Sequence, residues 1–191
     1  MDFNQKEHIE KTQLEQSDAW YEYWQQYSDW STWEFWVNLG FLVVPLILLY
    51  ILIDKKKALL LGFFGYNVHV WFTYIDAFGG SKALWFYPYK VLPILPVNFA
   101  LDVSLIPVVY MLVYQWTLNH GKNYYLYITG LCVILSFIFK PLMTTFGFFK
   151  LNEGANYFHL FLGYLLIAII SKLITNIFIF MERRSKLKST A

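Results

Sequence analysis

Charge is what this sequence has least of. Asp, Glu, Lys and Arg make up 15% of its 191 residues, where a soluble domain carries roughly a quarter. The scarcity is uneven, because eight of the thirteen acidic residues fall within the first 34 positions. With a net charge of +2 and no basic stripe interleaved with aromatics, nothing suggests nucleic acid as a partner. Cys132 is the single cysteine, so there is no internal disulfide framework, and its apolar neighbours mark it as a small buried hydrophobe. A basic start followed by an apolar core is missing, so the first apolar run is expected to act as the membrane-targeting signal. Also missing are a G-x-x-x-x-G-K loop, a G-x-S-x-G elbow, an H-E-x-x-H helix and any internal repeat. His69 and His159 lack a cysteine partner, so no metal and no cofactor are expected.

What the sequence does have is length in its apolar runs, which fits a chain that is 58% hydrophobic. A spanning helix needs about 20 mostly apolar residues, because the hydrocarbon core is about 30 Å thick. Five segments qualify, near 35–53, 58–78, 96–118, 124–146 and 157–181. Continuous runs of this kind do not alternate as barrel strands must. The expected fold is an all-α, polytopic membrane helix bundle of about five transmembrane helices with an N-terminal amphipathic interfacial helix. The expected divisions are an acidic, aromatic segment over 1–34, the bundle over 35–182 and a short basic tail over 183–191.

Loop charge sets the orientation. Lys55, Lys56, Lys57, Lys122, Arg183, Arg184, Lys186 and Lys188 lie on one side, and Lys6, Lys11, Lys82, Lys90 and Lys150 on the other. The excess and its nearness to helix ends predict the C-terminus inside, the N-terminus outside and a plasma-membrane location.

Trp20, Tyr23, Trp24, Tyr27, Trp30 and Trp33 recur at steps of three or four, which is an amphipathic helical stripe. It reads as an interfacial helix, as a docking face for a partner protein or as an aromatic sugar platform. Between spans two and three, GGSKALWFYPYKVLPILP is apolar yet rich in proline. Gly79 and Gly80 are expected to break the helix there, and the segment to lie at the interface or fold back over the bundle.

Ionisable residues inside spans are costly and tend to face a bundle interior or a cavity. Here they are His69, Asp76, Asp102, Lys140, His159 and Lys172. Counting along each span places Asp76, Asp102, Lys140 and His159 at one depth, with His69 deeper. Gly62, Gly65, His69, Thr73 and Asp76 share a face, as do Asn98 and Asp102, then Thr129, Ser136, Lys140 and Thr144, then His159 and Gly163. Asp102 and Lys140 are the natural ion pair. It would either set register between spans three and four or line a polar cavity that binds a ligand or proton. Pro107 and Pro141 are expected to kink their helices. Lys172 is expected to snorkel toward the inner headgroups.

Trp85, Tyr87, Pro88, Lys90 and Pro93 form a W-x-Y-P-x-K-x-x-P segment, followed by the intramembrane Asp102 and by Tyr114–Gln115. Residues 66–116, which contain it, resemble an uncharacterised group of small multi-span membrane proteins from Bacillus- and Clostridium-type endospore formers. The resemblance implies a plasma-membrane protein and supplies no activity; the acidic aromatic tail is not a feature of the group. Three functions follow as expectations. The first is a non-enzymatic, partner-binding or ligand-sensing membrane subunit, working through Trp20, Trp24, Tyr27 and Trp30 and through the Trp85–Lys90 loop. The second is a small proton-coupled carrier or channel, necessarily a homo-oligomer, built on Asp102 and Lys140. The third is a lipid-modifying enzyme with His69 or His159 as base beside Asp76.

Overall fold

Five of the helices are long and apolar enough to cross a bilayer: Trp33–Leu52, Lys55–Ser81, Leu101–Asn119, Tyr124–Thr145 and Tyr157–Leu187. These come from a computed structural model that describes residues 3–93 and 96–189. Ile94 and Leu95 of the proline-rich loop lie outside the described residues. Bare apolar side chains such as Tyr50, Leu59, Ile138 and Phe180 cover the outside of spans one, two, four and five. Water would not tolerate that continuous surface, and lipid does. The protein is a multi-pass, all-α membrane protein.

In chain order, α1 (Phe3–Tyr27) precedes the bundle and α2 (Trp33–Leu52) is the first span. A tight turn at Lys55–Lys57 leads into α3 (Ala58–Ser81). Span three is a widened turn, Leu101–Leu105, running into α4 (Ile106–Asn119). Span four is α5 (Tyr124–Ile134), a second widened turn at Leu135–Phe139, and α6 (Lys140–Thr145). Span five is α7 (Tyr157–Ser189). It continues as helix through the basic segment expected to form a separate tail. The third span is central, with 56% of its most apolar stretch buried against 11% for the first.

Lipid supplies no hydrophobic drive between helices, so close packing and hydrogen bonds hold the bundle. Tyr110 Oη donates to the Tyr164 carbonyl at 3.1 Å and Tyr124 Oη to that of Ala168 at 3.0 Å, fastening α4 and α5 to α7. At the end carrying Lys55–Lys57, the Gln115 amide takes the Asp54 N–H at 2.7 Å and donates to the Leu52 carbonyl at 2.9 Å. A single α4 side chain thereby satisfies the turn between spans one and two.

Gly79 and Gly80 do not break their helix, because α3 runs through Ser81. They serve close approach instead. A methyl group on Gly79 would overlap the Trp85 ring, and one on Gly80 the Pro96 carbonyl. The helix ends one turn later: Leu84 N–H bonds the Gly79 carbonyl and Ala83 N–H that of Gly80, with Ala83 at φ 53°. This is a Schellman ending with alanine in the left-handed position that glycine usually fills.

The loop after α3 does fold back over the bundle. Trp85–Phe86 (β1) pairs antiparallel with Lys150–Leu151 (β2), Trp85 opposite Leu151 and Phe86 opposite Lys150. Trp85, Tyr87 and Lys90 are all buried. The aromatic stripe of the N-terminal segment is not one helix: α1 stops at Tyr27, a turn follows, and Trp33 already opens α2. Its first part packs on the loop, whereas Tyr27 and Trp30 stay exposed.

Candidate functional site

The site lies where α3, the Trp85–Lys90 loop and spans three to five meet. Asp76 sits about four helical turns from Gly62, the start of the α3 polar face, and is 4% exposed. Its Oδ1 accepts from Trp85 Nε1 at 2.8 Å and from Tyr87 Oη at 2.9 Å. Its Oδ2 faces the Asn98 N–H at 3.4 Å. Lys140 Nζ donates to Tyr87 Oη at 2.8 Å and lies 4.0 Å from the Phe149 ring centre. The result is a directed chain, Lys140 to Tyr87 to Asp76, in which the phenol accepts at one end and donates at the other. Burial pushes the Tyr87 hydroxyl well above the usual tyrosine range, and the charge of Asp76 adds to this. The phenol therefore keeps the proton it donates.

Asp102 and Lys140 do not form the expected ion pair, because no nitrogen–oxygen contact within 4.0 Å joins them. Tyr87 takes the lysine instead. Asp102 lies within hydrogen-bond reach of the Asp76 carboxyl and interacts through space with Lys140, but no N–H or hydroxyl donor reaches either of its carboxyl oxygens. At 1% exposure, a carboxyl whose nearest partner is a second carboxyl is expensive to ionise. Ser104, Ser136 and Ser171 are also buried with unpartnered hydroxyls.

The backbone beside Asp102 is as unusual as its side chain. Within Leu101–Leu105 the ladder widens, and Ile106 N–H reaches back to the Leu101 carbonyl. The Asp102 carbonyl would then look to residue 107, but Pro107 has no N–H to give. His69 Nδ1 fills the gap at 2.8 Å. A carbonyl only accepts, so that nitrogen carries the proton. The same device recurs in span four, where Lys140 N–H reaches Leu135 O ahead of Pro141. Both expected kinks are thus widened turns just before the proline, and Lys140 itself keeps right-handed helical angles. Such turns occur often at functional sites.

Asn98 starts span three. Its Oδ1 accepts from Ala100 and Leu101 N–H at 3.1 and 3.3 Å, and its Nδ2 donates to Asn38 Oδ1 at 3.0 Å. His159 stands at the start of α7 in a reciprocal cap. Asn156 Oδ1 accepts its N–H at 3.0 Å, and its Nδ1 accepts the Asn156 N–H at 3.3 Å. His159, Gly163, Asp76, Trp85 and Tyr87 line one cavity of about 30 Å³, closed by Phe72, Tyr164 and Ile167. That is room for one or two water molecules.

Of the residues placed at one depth, the structure joins Asp76 to Lys140 through Tyr87 and Asp76 to His159 through the cavity. Asp102 adjoins the cluster without lining the cavity, and His69 touches it only through the Asp102 backbone. Lys172 is half-buried and lines a cleft that runs to Arg183 and Lys186. Its Nζ donates to Tyr114 Oη at 2.7 Å, inside the bundle.

The loop carries the site on to the N-terminal helix. Lys90 N–H donates to Ser28 Oγ at 2.8 Å, and the Lys90 carbonyl accepts from Ser28 Oγ at 3.1 Å and Trp24 Nε1 at 2.9 Å. Lys90 Nζ lies 3.6 Å from the Trp20 ring centre, and Trp20 stacks on Phe86 at 5.0 Å. Burial lowers the Lys90 ammonium to about 8, with Asp76 and Asp102 pulling the other way. The aromatic stripe therefore has a docking partner within its own chain. Asn38, Ser28, Ser104 and Ser171 are not among the residues that the sequence points to; a lone Asn in span one is the available signal for the first. Among the described residues, no group of three metal-ligating side chains occurs. Comparison with protein-family models, curated proteins and solved structures finds no match in any of the three.

Proposed function

We propose that this protein is a non-enzymatic, ligand-sensing membrane subunit, and that the ligand is a proton taken up by the polar core around Asp76. The observation that carries this reading is the chain Lys140–Tyr87–Asp76, which ends on a cavity of about 30 Å³ with His159 at its rim. The volume suits water and a proton and is too small for a metabolite. Protonating Asp76 neutralises the carboxylate to which Trp85 and Tyr87 both donate, and so weakens both charge-assisted hydrogen bonds. Trp85 precedes Phe86, on which Trp20 of α1 stacks, so a change at Asp76 has a short mechanical route to the N-terminal helix. In the cell the protein sits in the plasma membrane of an endospore-forming bacterium, N-terminus outside and C-terminus inside, and α1 relays the state to a membrane partner or a second copy.

A second reading, a proton-coupled carrier, draws on the two widened turns before Pro107 and Pro141, which suit hinges. One experiment separates the two. The full-length protein in lipid nanodiscs is titrated from pH 5 to 7, below the range in which the Lys90 ammonium over Trp20 releases its proton, and the Trp20 emission is isolated by subtracting a Trp20→Phe variant. The expected result is a pH-dependent shift that Asp76→Asn abolishes and His120→Gln leaves intact. A shift that survives Asp76→Asn overturns the sensor reading. Proteoliposomes that dissipate an imposed pH gradient faster than empty ones establish the carrier instead.

A further inference from the structure

The opposite end of the bundle holds a second polar site that the proton chemistry does not use. Lys172, Asn176, Ile179, Arg183 and Lys186 follow one another at steps of three and four along α7, so they form one stripe. That stripe faces Leu60 of α3 and Tyr114 and Leu118 of α4 across a cleft of about 560 Å³. Glu182 is the single acid in its lining, and it is bonded to Lys186 at 2.6 Å. Three cations therefore face one anion. The deepest cation, Lys172, is half-buried, hydrogen-bonded to Tyr114 Oη and 4.2 Å from that ring's centre. It lies eleven residues before Arg183, roughly 16 Å deeper along the helix.

From this arrangement we infer that the cleft is a binding site for an anionic phospholipid. Three features select that occupant. The excess positive charge sits at the helix end, where headgroups lie. Phe180, on the cleft wall, is 63% exposed to the lipid side, so an acyl chain can enter sideways. Lys172 extends the cationic stripe below the surface, where any phosphate loses water; a lipid offsets that by keeping its acyl chains in hydrocarbon, and a soluble anion has nothing comparable. Arg183 is suited to take the phosphate through its planar fork, Asn176 lies beneath it toward the glycerol oxygens, and Lys172 adds positive potential from deeper in the cleft.

The test uses the full-length protein in mild detergent, exposed to equal phosphatidylglycerol and phosphatidylcholine, with retained lipid read by native mass spectrometry. Phosphatidylglycerol is expected to be retained at least fivefold over phosphatidylcholine. Arg183→Gln and Lys172→Gln should each remove most of that preference, and Lys56→Gln, at the same end but outside the cleft, should keep it. Should Lys172→Gln fail to accumulate, Arg183→Gln decides the matter, since that side chain is exposed and outside the packed core. Equal retention of the two lipids overturns the inference. So does a preference lost equally with Lys56→Gln, which would mean a diffuse surface field. Full competition by millimolar inorganic phosphate overturns it too, because the site would then read a free anion.

Discussion

Tyr87 is the residue on which the polar core turns. It is a loop side chain, yet it separates the buried Lys140 from the buried Asp76 and satisfies both. Tyr87→Phe keeps the ring and deletes the hydroxyl, leaving the ammonium without that acceptor. The expected loss is about 1–3 kcal/mol, read as a lower melting midpoint in detergent; an unchanged midpoint would show that Lys140 reaches another acceptor. The sequence marks Tyr87 only as a loop residue, for a physical reason. Hydropathy gives the depth of a charge along its own helix, and four charges at one depth invite direct pairing. Depth carries no information about the angle at which each helix is turned, nor about a loop that dips between them. Asp102 and Lys140 had the right level and the wrong neighbour.

At the scale of elements, the two widened turns share a sequence pattern. Asp102 precedes Pro107 by five residues, and Ser136 precedes Pro141 by five. In each case a helix approaching proline must leave one carbonyl without a backbone donor, and a polar residue stands at that carbonyl. His69 answers the need in span three. Pro107→Ala returns an N–H to that position, so His69 should lose its exclusive hold on the Asp102 carbonyl. In nitrogen NMR of labelled histidine, the His69 ring of the native protein is expected to be protonated at Nδ1 and that of Pro107→Ala to shift toward Nε2. An unaltered tautomer would mean that the histidine, not the proline, sets the turn. A bend was legible from proline alone. Its form was not, because a kink and a widened turn break the same hydrogen bond and differ in where the freed carbonyl points.

Taken whole, the molecule is a bundle with a lid. The loop from Trp85 to Lys90 closes over the site, and α1 is fastened to that loop through Trp20, Trp24 and Ser28. Burial makes the charged form of Lys90 costly, with the ammonium lowered to about 8 from 10.5. The unfolded chain keeps this proton up to about 10.5, whereas the folded one releases it near 8. Between those values the unfolded state binds more protons, so stability rises with pH, by up to about 3 kcal/mol. Below pH 8 both states are charged and the penalty is fully present. The wild type should therefore gain in melting midpoint from pH 7.5 to 10 relative to Lys90→Met, which has no such proton; parallel profiles would mean that the ammonium is not desolvated. The sequence by itself determined that the chain crosses the membrane five times as helices, because apolar length and the need to satisfy every backbone group in lipid leave no other solution. Counting along the spans also puts Asp76, Asp102, Lys140 and His159 near one level, apart from His69 and Lys172. Only the tertiary structure decided which charge meets which, because pairing depends on helix rotation and on a loop and tail that return from outside the spans. Neither is written in any segment's own hydropathy.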